Sequence, residues 1–183
     1  ALATLGPEAR LETTVLADSA PVDGVVTGNL YLVGGGDPFL TTDNWWTQYE
    51  QLDGRFHTRL EDLADRVVQA GVRQVTGAVV GDESRYDNLR EGPWAARLIE
   101  SNQSGPLSAL TVNEGFVDWP DRFADTARPR SRTDNPPLQA AATFAQLLAE
   151  RGVAITGPPA AATAPAGAVP VAVVREPRSP CSC

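Results

Sequence analysis

The segment LREGPWAARLIE, residues 89–100, combines side chains that could hold a ligand. Trp94 offers a flat apolar surface, and Arg90 and Arg97 stand on either side of it along the chain. A guanidinium binds a carboxylate through two parallel hydrogen bonds, so this combination suits a ligand that carries a carboxylate. The alternative is that Trp94 packs onto the core while the arginines stay in water. We take Trp94 and Arg97 as candidate substrate-binding residues.

A second candidate is the glycine run in LYLVGGGDPFL, residues 30–40, which follows an apolar stretch and could cradle a phosphate. Dinucleotide-binding loops read G-x-G-x-x-G and P-loops end in G-K-[ST], whereas Gly36 is followed by Asp37 and Pro38. An aspartate at this point would repel phosphate. We therefore predict a turn in which glycines permit positive φ and close backbone approach, and in which Asp37 caps backbone donors. No nucleotide or other cofactor is expected.

The cationic residues restrict the catalytic chemistry that the chain can perform. All fifteen are arginine, and lysine is absent. The serine-lysine mechanism needs lysine in S-x-x-K and in K-T-G, so the V/I-T-G triplets at Thr27, Thr76 and Thr156 are interpreted as chance matches. A serine triad is not indicated either, because His57 is the one histidine and G-x-S-x-G does not occur. The sequence therefore identifies no catalytic residue.

Composition excludes several classes of partner. The chain has 183 residues, 42% of them hydrophobic, which is enough to bury a core. Its formal charge is -8 with scattered acidic residues, so nucleic acid is not an expected partner. No run approaches the roughly 20 apolar residues of a membrane span. Cys181 and Cys183 are too few for a zinc site, and no metal is expected.

Apolar periodicity predicts a mixed α/β (α+β) fold in which a sheet packs against two main helices. The first helix is predicted from residue 41 to its stop at Gly71, and its predicted inward face is Leu60, Leu63, Ala64, Val67 and Val68. The second runs from about 135 to 151, with Leu138, Ala141, Ala142, Ala145 and Leu148 inward. Strands are predicted at residues 10–17, 25–33, 72–82, 108–119, 153–157 and 169–176, the first two forming a hairpin. Residues 83–106, which contain Trp94, are predicted to be a long loop with one helical turn.

Three ordered segments resemble the D-alanyl-D-alanine carboxypeptidase/endopeptidase family of penicillin-binding proteins, the low-molecular-mass class C group or peptidase family S13. They are GNLYLVGGGDPFL, LADRVVQAGVRQVTGAVVGDESRYD and GPLSALTVNEG. In that family a long non-catalytic insert separates S-x-x-K from S-x-N and K-T-G. The resemblance implies that residues 10–176 are this inserted domain, with a small sub-insertion near 120–132. Residues 1–9 would be the tail of a catalytic-domain helix, and 177–183 a truncated return to that domain.

The resemblance also implies a function. The parent would be a bacterial, extracytoplasmic serine-type D-Ala-D-Ala carboxypeptidase that acts on peptidoglycan peptides and reacts with β-lactams through its catalytic domain. This chain is expected to be inactive alone, and the loop around Trp94 is expected to overhang the parent's cleft. The alternative is a stand-alone, non-catalytic module that binds peptidoglycan or a protein partner.

Overall fold

A computed structural model describes residues 10–47, 57–120 and 130–176. Its helices are α1 (Asp43–Trp46), α2 (Leu60–Gln69), α3 (Ala96–Glu100) and α4 (Pro136–Glu150). Its strands are β1 (Glu12–Ala17), β2 (Val25–Val26), β3 (Leu30–Val33), β4 (Leu40–Thr41), β5 (Thr58–Arg59), β6 (Gln74–Val75), β7 (Val79–Asp82), β8 (Phe116–Asp118), β9 (Ser131–Arg132), β10 (Ala154–Ile155), β11 (Ala160–Ala161) and β12 (Val169–Arg175). The predicted mixed α/β fold with two main helices, α2 and α4, is confirmed.

Two sheets form the centre of the fold. The large sheet has the strand order β11-β7-β3-β1-β12, and the small sheet has the order β10-β6-β2. In the large sheet β1 runs antiparallel to both β3 and β12. Helix α4 packs on β7 and β11, α2 packs on β12, and the two helices contact each other. Their apolar faces therefore close one continuous core with the sheets.

The V/I-T-G triplets have a structural role that the sequence interpretation missed. Strands β2, β6 and β10 run parallel in the small sheet, and β3, β7 and β11, which follow them, run parallel in the large sheet. The triplet glycines link neighbouring units, because Gly77 N–H donates to the Gly28 carbonyl and Gly157 N–H to the Gly77 carbonyl, both at 2.8 Å. Each Thr-Gly pair is thus the point where the chain passes from one sheet to the other. For this reason the strands predicted at 25–33 and 72–82 are each divided in two.

The first predicted helix forms over only part of its predicted range. Its apolar face is confirmed, since Leu60, Leu63, Ala64 and Val67 are buried and Val68 packs partly against the core. Gly71, at φ +92°, follows the helix as the predicted stop. Before α2, however, the chain forms α1 and β5 instead of one long helix, and residues 48–56 lie outside the described part.

Helix α4 begins and ends as predicted, but part of its predicted inward face is wrong. Asn135 caps it by accepting a hydrogen bond from Leu138 N–H at 3.3 Å, and Gly152 follows at φ +81°. Leu138 is 37% exposed and Ala142 is exposed. The buried residues are Pro136, Pro137, Ala140, Ala141, Phe144, Leu147 and Leu148. The apolar stripe therefore starts at the prolines, which rotates the buried face away from Leu138.

The strand predicted at 108–119 is wrong over most of its length, because only β8 forms. Asn113, Glu114 and Gly115 have φ values of +56°, +55° and +77°, and this left-handed turn interrupts the extended backbone. The Asn113 side chain stabilises the turn by accepting hydrogen bonds from Thr42 N–H at 2.8 Å and from its hydroxyl at 3.2 Å.

Several predicted segments lie wholly or partly outside the described residues. They are residues 1–9, residues 121–129 of the predicted sub-insertion, and residues 177–183 with Cys181 and Cys183. Strand β8 precedes the predicted sub-insertion, and β9, which pairs with β8 antiparallel, lies at its C-terminal end. No helix in the described ranges is long and apolar enough to cross a membrane.

Candidate functional site

The loop after β7 and the glycine run after β3 enclose a cleft of about 600 Å³, which we call the Trp94 cleft. Its lining residues are Gly36, Asp37, Pro38, Tyr86, Asp87, Leu89, Trp94, Gln103, Ser104, Gly105, Pro106, Leu107, Ser108, Thr111 and Glu114. The glycine run after β3 forms one wall as a tight turn, and the loop after β7 forms the other.

The glycine run forms the tight wall, as predicted. A Cβ on Gly34 would lie 2.1 Å from the Ala109 carbonyl oxygen, and one on Gly35 would lie 2.0 Å from that of Glu12. Gly36 has φ +85°, which other residues adopt only with strain. The glycines therefore allow this turn to press against the neighbouring backbone.

Asp37 fixes the end of this wall. It is buried, and its two carboxylate oxygens accept hydrogen bonds from Phe39 N–H at 2.9 Å and from the Thr58 hydroxyl at 2.5 Å. Burial raises the pKa of Asp37, while these two hydrogen bonds oppose the rise. The predicted cap is thus confirmed for one backbone donor, Phe39 N–H, and the other oxygen ties the turn to β5.

Trp94 lies in the cleft and not in the core. Its side chain is 36% exposed, and the neighbouring lining residue Tyr86 is 51% exposed. Leu89 and Leu107 are also exposed and extend the apolar lining. A concave apolar surface of this kind is typical of a binding site.

Arg90 is close to Trp94 in sequence, which made it a candidate for binding a ligand, but its guanidinium is already paired within the protein. Its guanidinium forms two hydrogen bonds with Glu83, at 2.5 and 2.6 Å, and a third with the Leu107 carbonyl at 3.2 Å. Glu83 also accepts from the Ser108 hydroxyl at 2.6 Å. Burial alone would raise the pKa of Glu83, but the bonds from Arg90 and Ser108 outweigh it and lower that pKa. Arg90 therefore anchors the two ends of the loop to each other.

Arg97 lies on α3 and is exposed, outside the lining of the cleft. Within the described part of the chain its guanidinium has no hydrogen-bond or ion-pair partner. The charged side chains that do line the cleft are the carboxylates of Asp37, Asp87 and Glu114. Of the residues singled out from the sequence, the structure places Trp94 in the cleft and leaves Arg97 beyond its lining.

Tyr86 is a lining residue that sequence reasoning missed. It lines the Trp94 cleft and also a second cleft of about 580 Å³, which we call the polar cleft. The polar cleft is lined by Gly81, Asp82, Glu83, Ser84, Tyr86, Asn88, Arg90, Asp134, Asn135, Pro137, Ala161, Ala162 and Thr163. The sequence did contain a sign of this role, because Tyr86 is an aromatic residue within the polar run DESRYDN. An aromatic side chain in such a segment is not part of an apolar stripe that would bury it.

Known proteins resemble the chain in sequence and in fold. Residues 1–123 match the sequence profile of the D-Ala-D-Ala carboxypeptidase 3 (S13) family. A D-alanyl-D-alanine carboxypeptidase of Actinomadura sp. (strain R39) is 33% identical over 116 residues, which are 63% of this chain and 19% of that protein. The chain thus spans a minor part of that relative's length.

Solved structures show the same fold at low identity. Penicillin-binding protein 4 of Haemophilus influenzae superimposes with a TM-score of 0.67 at 16% identity, covering 96% of this chain and 48% of that one. A second structure of that protein, complexed with a β-lactam, gives a TM-score of 0.60 at 15% identity, covering 96% and 46%. In both comparisons nearly all of this chain corresponds to about half of the larger protein.

Proposed function

The chain belongs to the D-Ala-D-Ala carboxypeptidase 3 (S13) family, and on that premise we propose that it is the non-catalytic insert of a serine-type carboxypeptidase or endopeptidase. The parent enzyme acts outside the cytoplasm on the D-Ala-D-Ala ends of peptidoglycan stem peptides and reacts with β-lactams. The observation that carries the proposal for this chain is Trp94, a large aromatic side chain that is 36% exposed within a cleft of about 600 Å³.

We assign no catalytic step to these residues. The family's nucleophile is activated by lysine, and this chain has none. Arginine cannot replace it, because a guanidinium stays protonated and does not accept the proton of a serine hydroxyl. Catalysis therefore belongs to the S-x-x-K, S-x-N and K-T-G motifs of the parent, and the chain contributes binding.

The Trp94 cleft is the proposed contact with the stem peptide. The indole of Trp94 and the Tyr86 ring lose contact with water when a peptide covers them, which favours binding. Arg97 lies three residues after Trp94 and outside the lining of the cleft, and its guanidinium has no partner among the described residues. It therefore remains available for the carboxylate of a peptide that extends beyond the cleft. Arg90, being held by Glu83, is not available in this way.

The test is a calorimetric titration of the chain with a synthetic peptide that ends in D-Ala-D-Ala. We expect Trp94→Ala to weaken binding about tenfold and Arg97→Gln about fivefold, the usual range for an aromatic anchor and a charged contact. Trp94→Phe, which keeps an aromatic ring, and Arg97→Lys, which keeps the charge, are the conservative controls and should retain part of the affinity. Equal affinities for the original chain and for both truncating variants would refute the proposed contact.

The absence of catalysis has a separate test. After incubation with benzylpenicillin, intact-mass spectrometry of the chain should show no covalent adduct. An adduct would mean that a nucleophile exists within these residues, and the assignment of catalysis to other motifs would be wrong.

A further inference from the structure

The polar cleft lies beside the Trp94 cleft and differs from it in chemistry. Three parts of the chain build it: the start of the loop after β7, the N-terminal end of α4 and the segment that follows β11. Tyr86 lines both clefts. A ligand that is too large for one cleft can therefore continue past Tyr86 into the other.

Neutral hydrogen-bonding side chains form part of the exposed lining of the polar cleft. Ser84, Asn88, Asn135 and Thr163 all line it and are exposed. Asn135 uses its side-chain oxygen to cap α4, which leaves its amide N–H groups free to donate. Hydroxyls both donate and accept, and amides carry one group of each kind. Such a set matches a ligand whose own groups are hydroxyls and amides.

Three of the four charged side chains that line the polar cleft already have hydrogen-bond partners. The two carboxylate oxygens of Asp82 accept hydrogen bonds from Ser84 N–H and Ala164 N–H, both at 2.7 Å. Glu83 and Arg90 are paired with each other. Among the described lining residues Asp134 is the remaining carboxylate, and it is exposed. The cleft therefore has no free cation with which to select an anionic ligand.

Tyr86 adds an apolar surface to this polar set. Its side chain is 51% exposed, and its hydroxyl lies beside Gly36, where an added Cβ would be 2.4 Å from it. The exposed part of the ring presents an apolar face, and aromatic faces pack well against C–H groups. Sugar rings combine such C–H faces with hydroxyls at their edges.

We propose that the polar cleft binds a neutral saccharide bearing hydroxyl and acetamido groups. On the proposed function, that saccharide is the glycan of peptidoglycan, and the peptide attached to it occupies the Trp94 cleft. Tyr86 stands between the two parts of such a ligand, and Asn88 and Thr163 hydrogen-bond its sugar.

The experiment titrates the chain separately with N,N′-diacetylchitobiose and with the peptide ending in D-Ala-D-Ala, monitoring both by NMR chemical shifts. We expect saturable binding of the disaccharide. Asn88→Ala and Thr163→Ala should each raise its Kd about fivefold, the equivalent of one hydrogen bond, and leave the Kd of the peptide unchanged. Tyr86→Ala should weaken the binding of both ligands.

Exposed Gln146, on the far part of α4, supplies the matched control, and Gln146→Ala should leave both affinities unchanged. Unchanged melting temperatures would show that all variants are folded. The saccharide proposal is overturned if the disaccharide does not bind, or if Asn88→Ala and Thr163→Ala combined leave its Kd unaltered. Disaccharide binding without peptide binding would support the polar cleft and contradict the proposed peptide contact, so the two failures are distinguishable.

Discussion

The sheet core and the loop after β7 meet at Asp82, yet they are built in opposite ways. In the core, backbones approach so closely that a Cβ on Gly81 would lie 2.0 Å from the Pro137 carbonyl oxygen. In the loop, Tyr86 and Trp94 remain substantially exposed. The contrast assigns stability to the core, and the proposed binding to the loop. A substitution should then affect one property and spare the other.

A cluster of three side chains, Glu83, Arg90 and Ser108, connects the loop to the core. These side chains link the first residues after β7 to the segment that precedes the left-handed turn at Asn113. The loop is thereby closed at its base while its aromatic residues remain exposed. Substitutions in this cluster should have effects of intermediate size on stability.

The largest expected effect is that of Phe144→Ala in α4. Phe144 is fully buried, and removing its ring leaves a cavity that costs about 3–5 kcal/mol of unfolding free energy. Urea unfolding measures the change. Leu138→Ala on the same helix is the control, since Leu138 is 37% exposed and its loss should cost far less. If both variants lost similar amounts of unfolding free energy, α4 would not have one buried and one solvent-facing side.

A smaller loss is expected for Gly81→Ala. The added methyl group would meet the Pro137 backbone, which cannot move without shifting α4, and overpacking of this kind costs about 1–3 kcal/mol. For comparison, a Cβ on Gly167 would meet nothing within 4 Å. Gly167→Ala should therefore leave the urea midpoint unchanged. A Gly81→Ala variant as stable as the original chain would show that β7 and α4 are not in rigid contact.

The pH dependence of stability should separate Glu83, at the base of the loop, from Glu61 on α2. Arg90 and Ser108 outweigh burial and lower the pKa of Glu83, so its contribution is present above its usual pKa and is lost as the pH falls through the lowered value. Burial raises the pKa of Glu61, so the folded state loses stability as the pH rises from the usual pKa of a glutamate through the raised value.

The matched variants are Glu83→Gln and Glu61→Gln, followed by urea unfolding between the acidic and neutral ranges. Glu83→Gln should lose about 1 kcal/mol at neutral pH, the scale of one hydrogen bond, and less at acidic pH. Glu61→Gln should become more stable relative to the original chain as the pH rises. If the unfolding free energies of both variants changed with pH in the same direction, the opposite pKa shifts of Glu83 and Glu61 would be contradicted.

The smallest effect on stability is expected for Trp94→Ala. Trp94 lies outside the core cluster and is 36% exposed, so the unfolding free energy should change by about 1 kcal/mol or less. Thermal melting measures this change directly. A large destabilisation would mean that Trp94 supports the fold, and the separation of binding from stability would fail at its central residue.

The fold was predictable where periodicity alone decides it. The apolar face of α2 and the glycines after both main helices follow from spacing within one element. The division of residues 25–33 and 72–82 was not predictable in this way, because apolar alternation continues through Thr-Gly and does not reveal a change of sheet. The left-handed turn at Asn113 was missed for a related reason, since its support comes from Thr42, which is distant in sequence.

The clefts were predictable only in part. Trp94 was identified because a large aromatic residue in a polar loop needs either a core or a ligand. Arg90 looked equally suitable, but its pairing with Glu83 depends on how the loop closes, which residue spacing does not specify. Tyr86 was missed because its importance comes from its position between two clefts, and that position exists only after folding.

The place of β1 in the large sheet has a consequence for how the protein is made. β1 lies between β3 and β12, so Glu12 is paired with Arg175, 163 residues further along the chain. Such distant pairings slow folding, because the chain must lose the conformational entropy of a long loop before the stabilising contacts can form. Wherever the chain folds, one edge of β1 stays unpaired until β12 is available. During that interval the unfinished sheet exposes an unpaired strand edge, which is a surface for chaperones and for premature aggregation.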